Sequence, residues 1–316
     1  MIKIAVFWGG DSSEREVSLV SGKAIAEELA RLGYPVLELD PGAYSKVSGL
    51  LEVLEKERID LVFNALHGGS GENGELQAAL SLSGIKYTGS DFRACCFAMD
   101  KYVSKLIAAA EGIPVPAYIM LREDLLHDYN DPEDYQGFID KLGLPLIVKP
   151  NDGGSSVGIT KVMDINELKP AVELAFKYSD SVLAEQFIPG RELTVTVLDG
   201  EALPLVEIKP VNGWYDYQNK YTKGHTDYIS PAPIEDEAAK LMQIYATRIW
   251  KAFSCKGYAR VDFRYDGEKA YFLELNTLPG MTSLSLTPMA AKAAGMEFGQ
   301  LLEHIIKSSV KNMEEQ

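Results

Sequence analysis

The chain has 316 residues, 46% of them hydrophobic and 24% charged, with a formal charge of −15. Such a length asks for two or three domains rather than one small core, and the composition excludes a disordered or collagen-like chain. The acidic excess argues against non-specific nucleic-acid binding, and no apolar run reaches the roughly 18 residues of a spanning helix. Nor does "MIKIAVFWGG" carry a signal-peptide cleavage pattern, so a soluble, cytoplasmic protein is expected, with no nucleic acid and no membrane as partner.

In chain order, "IKIAVFWGG" reads as a strand closed by Gly9-Gly10. An amphipathic helix follows, with Ser13 and Glu16 in capping-box spacing and Gly33 as its stop. "YPVLELD", "IDLVFNAL" and "IKYTG" read as strands, and "SGLLEVLEKER" and "GELQAALSLSG" as helices. This alternation predicts a parallel α/β layer. "CCFAMDKYVSKLIAAAEG" reads as one further helix, "IPVPAYIML" as extended, and residues 124–136 as a loop or weak helical piece. "LPLIVKP" and "VGITKV" are strands around a glycine-serine loop; "INELKPAVELAFKYS" is a helix and "SVLAEQFI" a strand. "RELTVTVLDGEALPLVEIKP" alternates with the strand period around Asp199-Gly200. A long Tyr- and Lys-rich stretch without periodicity follows, of a length more often functional than inert. "DEAAKLMQIYATRIWKAFSC" is helical, "GYARVDFRYDGEKAYFLELN" a hairpin, and "FGQLLEHIIKSS" the last helix.

Cys95, Cys96 and Cys255 form no C-x-x-C pair and read as buried thiols. The histidines (67, 127, 225, 304) are scattered, and neither H-E-x-x-H nor G-x-S-x-G occurs.

Three constellations carry chemistry. In the late hairpin, Asp262 lies in "ARVDFRY" and Glu274 and Asn276 in "YFLELN". A two-residue Asp266-Gly267 loop would put the two acids on opposite faces. A three-residue loop would set Glu274 opposite Arg260 with Asp262 as its diagonal neighbour. Carboxylates that close imply a cation, and an all-oxygen set suits Mg²⁺ or Mn²⁺. The alternative is a solvated strand face on which Arg260 pairs with Glu274. In "VKPNDGGSSVG", Lys149, the Gly153-Gly154 backbone and the hydroxyls of Ser155 and Ser156 form a recipe for phosphate oxygens; an ordinary glycine hairpin turn would look the same. At the start, strand, Gly9-Gly10 and helix resemble a dinucleotide site, but G-x-G-x-x-G is missing and Glu14 and Glu16 read as first-turn acids. His67 and its glycine-rich loop stand at the carboxyl end of the third strand, where open α/β sheets bind ligands.

Eight segments in register resemble the D-alanine–D-alanine ligases of the ATP-grasp superfamily: "GGDSSEREVSLVSG", "NALHGGSGENGELQ", "YTGS", "MDKYVSK", "LPLIVKPNDGGSSVG", "YDYQNKY", "CKGYARVDF" and "LELNTLPGMTSLSLTPMAA". The resemblance implies a mixed α/β, three-domain ATP-grasp fold divided at 1–97, 98–184 and 185–316. It implies ATP and two Mg²⁺ (or Mn²⁺) as cofactors, D-alanine as substrate, and a homodimer. It places Lys101 and Lys149 on ATP phosphates, Ser156 and Lys220 among the ATP-binding residues, and Glu185, Phe187, Ile188 and Glu192 on adenine and ribose. Asp262, Glu274 and Asn276 match its magnesium ligands. Glu14 would take the first D-alanine's ammonium, with Ser155 and Tyr221 linking to it and His67 beside the substrate. Arg260 and the Gly280 N–H would form the oxyanion site, and Ser285 would meet the second D-alanine. Residues 215–228 would be a lid. Relatives that use D-lactate or D-serine, and a non-catalytic nucleotide-binding protein, are the alternatives; Tyr221 favours D-alanine. Asn73, Gln186 and Leu278 depart from the family pattern.

Overall fold

The computed structural model describes residues 2–122, 124, 132–154, 157–211, 224–282 and 285–311. Its first sheet is parallel, as the alternation of strands and helices predicts. β1 (Ile4–Phe7), β2 (Val36–Leu39) and β3 (Leu61–Asn64) lie in the order β2-β1-β3. Period-2 alternation sends Ile4 and Val6 into one cluster with Ile25 and Leu29, and Ala5 and Phe7 into another with Leu50, Leu54 and Leu80. Both faces are therefore covered, the usual state of a parallel sheet. The final helix, Phe298–Lys311, adds Leu301 and Ile305 to the first of these clusters, so both ends of the chain share one core. The expected "IKYTG" strand is reduced to a single bridge, Val62 to Tyr87.

The expected capping box does not form. The first helix runs Arg15–Arg31, and Glu14 at its N-cap makes no capping hydrogen bond through its side chain. Ser12 Oγ, not Ser13, accepts from the Glu14 N–H at 3.1 Å while donating to the His67 carbonyl. These side chains turn toward the neighbouring loop rather than the helix end. The single helix expected from Cys95 is two, Phe92–Met99 and Lys101–Ala110. Asp100 breaks it with an extended backbone and caps the second helix, its Oδ1 accepting from Val103 N at 2.9 Å. Cys95 and Cys255 are buried as expected, but Cys96 is exposed on the outer side of its helix.

The second sheet is antiparallel: β4 (Tyr118–Arg122), β5 (Leu146–Pro150), β6 (Thr160–Val162) and β7 (Ser181–Gln186), in the order β4-β7-β5-β6. Leu146, Val148, Val182 and Ala184 face the helices Gln136–Leu142 and Leu168–Phe176. Alternation then puts Ile147, Lys149 and Glu185 on the other face. β7 runs unbroken through the expected domain boundary at residue 184.

The third sheet contains β8 (Arg191–Leu198), β9 (Glu201–Ala202), β10 (Val206–Pro210), β11 (Thr226–Ile229), β12 (Tyr258–Tyr265) and β13 (Ala270–Asn276). Their order is β11-β10-β8-β12-β13, with β9 beside β8. The helix Asp236–Ala252 seals one face, packing Met242, Ala246 and Ile249 with Leu193, Val195, Val261 and Phe263. The opposite face carries Glu192, Thr194, Arg260, Asp262 and Arg264. In this part of the chain β11 and the helix Leu286–Ala293 that follows β13 lie beyond the sequence reading. Among the described residues no helix is long and apolar enough to cross a membrane.

Candidate active site

The late hairpin departs from both expected registers. Its loop spans four residues, with Tyr265 pairing Ala270. Asp266 fastens the loop, its Oδ1 accepting from the N–H groups of Glu268 and Lys269 at 2.8 and 2.7 Å. Up to Phe263–Phe272 an even loop would leave Asp262 facing Leu273, with Glu274 on the core side. A β-bulge intervenes: Leu273 is extra, and beyond it Asp262 pairs with Glu274 and Arg260 with Asn276. Bulges re-aim side chains in this way. Glu274 thus faces Asp262 directly rather than diagonally, and Arg260 stands opposite Asn276.

The alternative in which Arg260 pairs with Glu274 is replaced as well. Arg260 grips Asp262 through two parallel bonds, Nε to Oδ1 and Nη2 to Oδ2, both 2.8 Å. Thr194 on β8 donates to the same Oδ1 at 2.6 Å. All three residues are buried, where such a fork is strong and orienting.

Across the cleft, two lysines hold Glu185 and a third, Lys101, feels its charge. Lys149 Nζ stands 2.9 Å from its Oε2 and Lys105 Nζ 2.9 Å from its Oε1. Lys101 Nζ donates to the Gly153 carbonyl at 2.6 Å, tying the glycine loop to its helix. Asn151 reinforces that tie: its Oδ1 accepts from Tyr102 N, and its amide donates to Asp100. Burial pushes the Lys101 ammonium down from its ordinary value, and pushes Lys105 down to about 8. Burial works against the Glu185 charge too, but Lys105 and Lys149 outweigh it and hold the carboxyl below its usual range. Lys101, Lys105, Lys149 and Arg260 against Glu185, Asp262 and Glu274 leave a local positive excess in an acidic protein, which suits an anionic ligand.

Phe187, Ile188 and Glu192 line the same cleft as Lys149, Asp262 and Glu274. Lys161 Nζ lies 3.8 Å above the Phe187 ring, and the Arg264 guanidinium 5.5 Å from its centre. Arg264 also donates to the Ile188 carbonyl at 3.0 Å and to Glu192 Oε2 at 2.9 Å. Lys105, Lys161, Thr194 and Arg264 are the site residues that sequence reasoning missed. Thr194 and Arg264 share the strand face of Glu192 and Asp262, a signal the register supplies once the strands are paired.

Glu14 reaches the cleft from the first sheet. An added Cβ at Gly154 would come within 2.5 Å of Glu14 Oε2, and one at Gly68 within 2.8 Å, so the carboxylate sits between the two glycine loops. His67 is buried, with Ser21 Oγ 3.1 Å from its Nε2. Asn73 Oδ1 accepts from Glu75 N at the start of the helix Glu75–Leu82. Ser285 Oγ accepts from Thr282 N at 3.0 Å and lies 3.1 Å from where a Cβ on Gly280 would stand. Ser155, Ser156, Lys220 and Tyr221 lie outside the described residues, as does the expected lid before Gly224; its end enters β11.

Asp262, Glu274 and Asn276 supply two carboxylates and an amide oxygen on one face. Asn276 Oδ1 already accepts from Leu278 N at 3.1 Å, which fixes its direction and leaves its second lone pair. Among the described residues no group of three or more His, Cys, Asp or Glu side chains is placed to hold a metal by itself. The set therefore fits Mg²⁺ or Mn²⁺ as ions completed by phosphate and water oxygens, not a dedicated protein cage.

Comparison with known proteins agrees over the whole length. The family model described as D-ala D-ala ligase C-terminus matches residues 107–307, and the D-ala D-ala ligase N-terminus matches residues 43–90. A D-alanine–D-alanine ligase of Syntrophotalea carbinolica is 44% identical over 309 residues, covering 96% of this chain and 95% of that one. The crystal structure of a D-alanine–D-alanine ligase from Bacillus anthracis superposes with a TM-score of 0.87 at 36% identity, over 100% of this chain and 99% of that one. The structure titled as that ligase complexed with ATP gives 0.84 at 34% identity, with the same coverages. With three sheets in this arrangement and matches of this extent, the chain has the ATP-grasp fold and belongs to the D-alanine–D-alanine ligase family.

Proposed function

We propose that this chain joins two D-alanines into D-alanyl-D-alanine at the expense of ATP, through an acyl phosphate, as a step in building peptidoglycan precursors. The observation that carries the reading is the bulge that sets Glu274 opposite Asp262, beside Arg260 and across from Lys149 and Glu185. The ligases of Syntrophotalea carbinolica and Bacillus anthracis bear the name of this activity, and the latter is also described in complex with ATP.

A carboxylate is a poor electrophile because its leaving group would be oxide. Taking up the γ-phosphoryl group gives the first D-alanine a good leaving group. Lys149 and Lys101 hold phosphate oxygens, with Ser156 and Lys220 assisting, while Glu185, Phe187, Ile188 and Glu192 hold the nucleoside. Asp262, Glu274 and Asn276 would hold two Mg²⁺, or Mn²⁺ in their place, which when bound offset the charge of the transferring phosphoryl group. Glu14 holds the ammonium of the first D-alanine, with Ser155 and Tyr221 beside it and His67 near the carboxylate. The second D-alanine, its carboxylate at Ser285, attacks the activated carbon through its amine. Arg260 and the Gly280 N–H then stabilise the tetrahedral oxyanion. Because an acyl phosphate hydrolyses readily, a lid over residues 215–228 would keep water out. The same reading takes the protein to be cytoplasmic and a homodimer, with domains near 1–97, 98–184 and 185–316.

Incubation with ATP, Mg²⁺ and D-alanine, with D-lactate and D-serine as competitors, tests this. One ADP per D-alanyl-D-alanine is expected, and EDTA abolishes it. A mainly ester product would reassign the second substrate, and nucleotide binding without D-alanine-dependent ADP release would defeat catalysis.

A further inference from the structure

The helix Lys101–Ala110 is turned inside out. Its buried side carries Lys101, Ser104, Lys105 and Ala108, while Leu106 is 46% exposed. Lys105 is 0% exposed, deeper than Lys101 or Lys149. A charged lysine in that position is costly, and an apolar residue of its size would fill the space more cheaply. Burial, with the neighbouring Lys149 charge, outweighs the pull of Glu185 and brings its ammonium down to about 8.

Lys105 has two partners, on two different sheets. One is Glu185 of β7, 2.9 Å away. The other is the carbonyl of Leu273, to which Nζ donates at 3.4 Å. Leu273 is the extra residue of the β13 bulge, and a bulge disrupts the ladder around it. The ammonium therefore meets the backbone at the point that decides whether Glu274 faces Asp262 or the core.

We propose that Lys105 is a positioning residue that clasps the Leu273 bulge against Glu185, fixing Glu274 in its aim at the divalent cation and linking the nucleoside end of the cleft to its metal end. This rests on the reading of Glu274 as a metal ligand. Lys105 touches neither reacting atoms nor metal in this assignment; it acts through the bulge.

The test is Mn²⁺ titration of the full-length protein saturated with ADP, followed by electron paramagnetic resonance, so that no turnover is read. Outer partners of metal ligands typically contribute 10–100-fold in affinity. Lys105→Met is expected to weaken Mn²⁺ about tenfold at saturating ADP. Lys105→Arg, which keeps a charged donor, recovers most of the loss. Glu185→Gln, which removes the charge the clasp is held against, is expected to weaken both ADP and Mn²⁺. In turnover assays the Mg²⁺ concentration for half-maximal rate rises for Lys105→Met while the KM for D-alanine at saturating Mg²⁺ stays the same. A folded Lys105→Met variant with the parent's Mn²⁺ affinity overturns the proposal. Should that variant not fold, Lys105→Gln, whose uncharged amide is one atom shorter and falls short of the Leu273 carbonyl, is read instead: weakened Mn²⁺ supports the clasp, and parent affinity overturns it. Glu274→Gln separates the two readings. If it leaves Mn²⁺ unaffected, the metal reading fails and the clasp with it; if it weakens Mn²⁺ while Lys105→Met does not, only the clasp fails.

Discussion

Asp262 and Glu274 face each other across β12 and β13 because Leu273 is one residue too many for the ladder. The pairing is not symmetrical in its support. Asp262 is gripped by Arg260 and Thr194, whereas Glu274 owes its side of the sheet to the bulge. The two acids should therefore respond differently to neutralisation.

Glu274→Gln is expected to lower D-alanine-dependent ADP release at least a hundredfold at low Mg²⁺, with little loss of stability. Asp262→Asn should lose a similar share of activity and also about 2 kcal/mol of stability, because the buried Arg260 guanidinium loses its charged acceptor. Urea unfolding alongside the ADP assay separates them. Equal stability losses in the two variants would mean that the Arg260–Asp262 fork carries no particular weight in the folded protein.

Gly154 supplies a second test, at the other end of the cleft. Its φ is not in the left-handed region, so alanine fits the backbone, and the side chain it adds would come within 2.5 Å of the Glu14 carboxylate. Glu14 has a flexible tip and can swing away. Stability should thus stay level or rise by about 0.5 kcal/mol through the unfolded chain. The KM for D-alanine should nevertheless rise about tenfold, an effect of about 1.4 kcal/mol on ammonium binding. Gly137→Ala, in open space on the helix Gln136–Leu142, is the control. An unchanged KM for Gly154→Ala would separate Glu14 from the first D-alanine.

What was legible in the sequence follows from how each signal arises. Alternation in "RELTVTVL" and "ARVDFRY" is a period-2 pattern with one face sealed by a helix, so the placement of Arg260 and Asp262 could be read directly. The bulge could not, because leucine at 273 suits either face and nothing local marks an extra residue. Asp100 went unread as a helix break because strong helix formers lie on both sides of it, and only Asn151 in space reveals its second partner. Lys105 was invisible for the opposite reason. Periodicity assigns the apolar side of a helix to the interior, and here Lys101, Ser104 and Lys105 face in, because the helix's first turns border a charged site and only Ile107 and Ala108 near its end reach a core. The helix Leu286–Ala293 is short and carries Pro288 in its first turn, which weakened its pattern.

The inverted burial of Lys105 also sets a pH dependence whose sign differs from that of an ordinary ion-paired lysine. Its folded value is about 8 against an ordinary 10.5. Below pH 8 both folded and unfolded chains hold the proton, and the folded state carries the full burden of the buried charge. Between about 8 and 10.5 the unfolded chain binds more protons, so this group's contribution to stability rises with pH. The buried thiols of Cys95 and Cys255 act in the other direction. Pushed up to about 12, they contribute stability that is lost as pH climbs from 9 through 12. A single stability curve would mix these effects, so the quantity to measure is the difference between the parent and Lys105→Met. Urea unfolding at pH 7.5, 8.5 and 9.5 should show that difference moving in the parent's favour, approaching about 1 kcal/mol per pH unit above pH 8. A difference that stays constant would mean that the Lys105 ammonium keeps its proton throughout, held by Glu185 more firmly than burial opposes it.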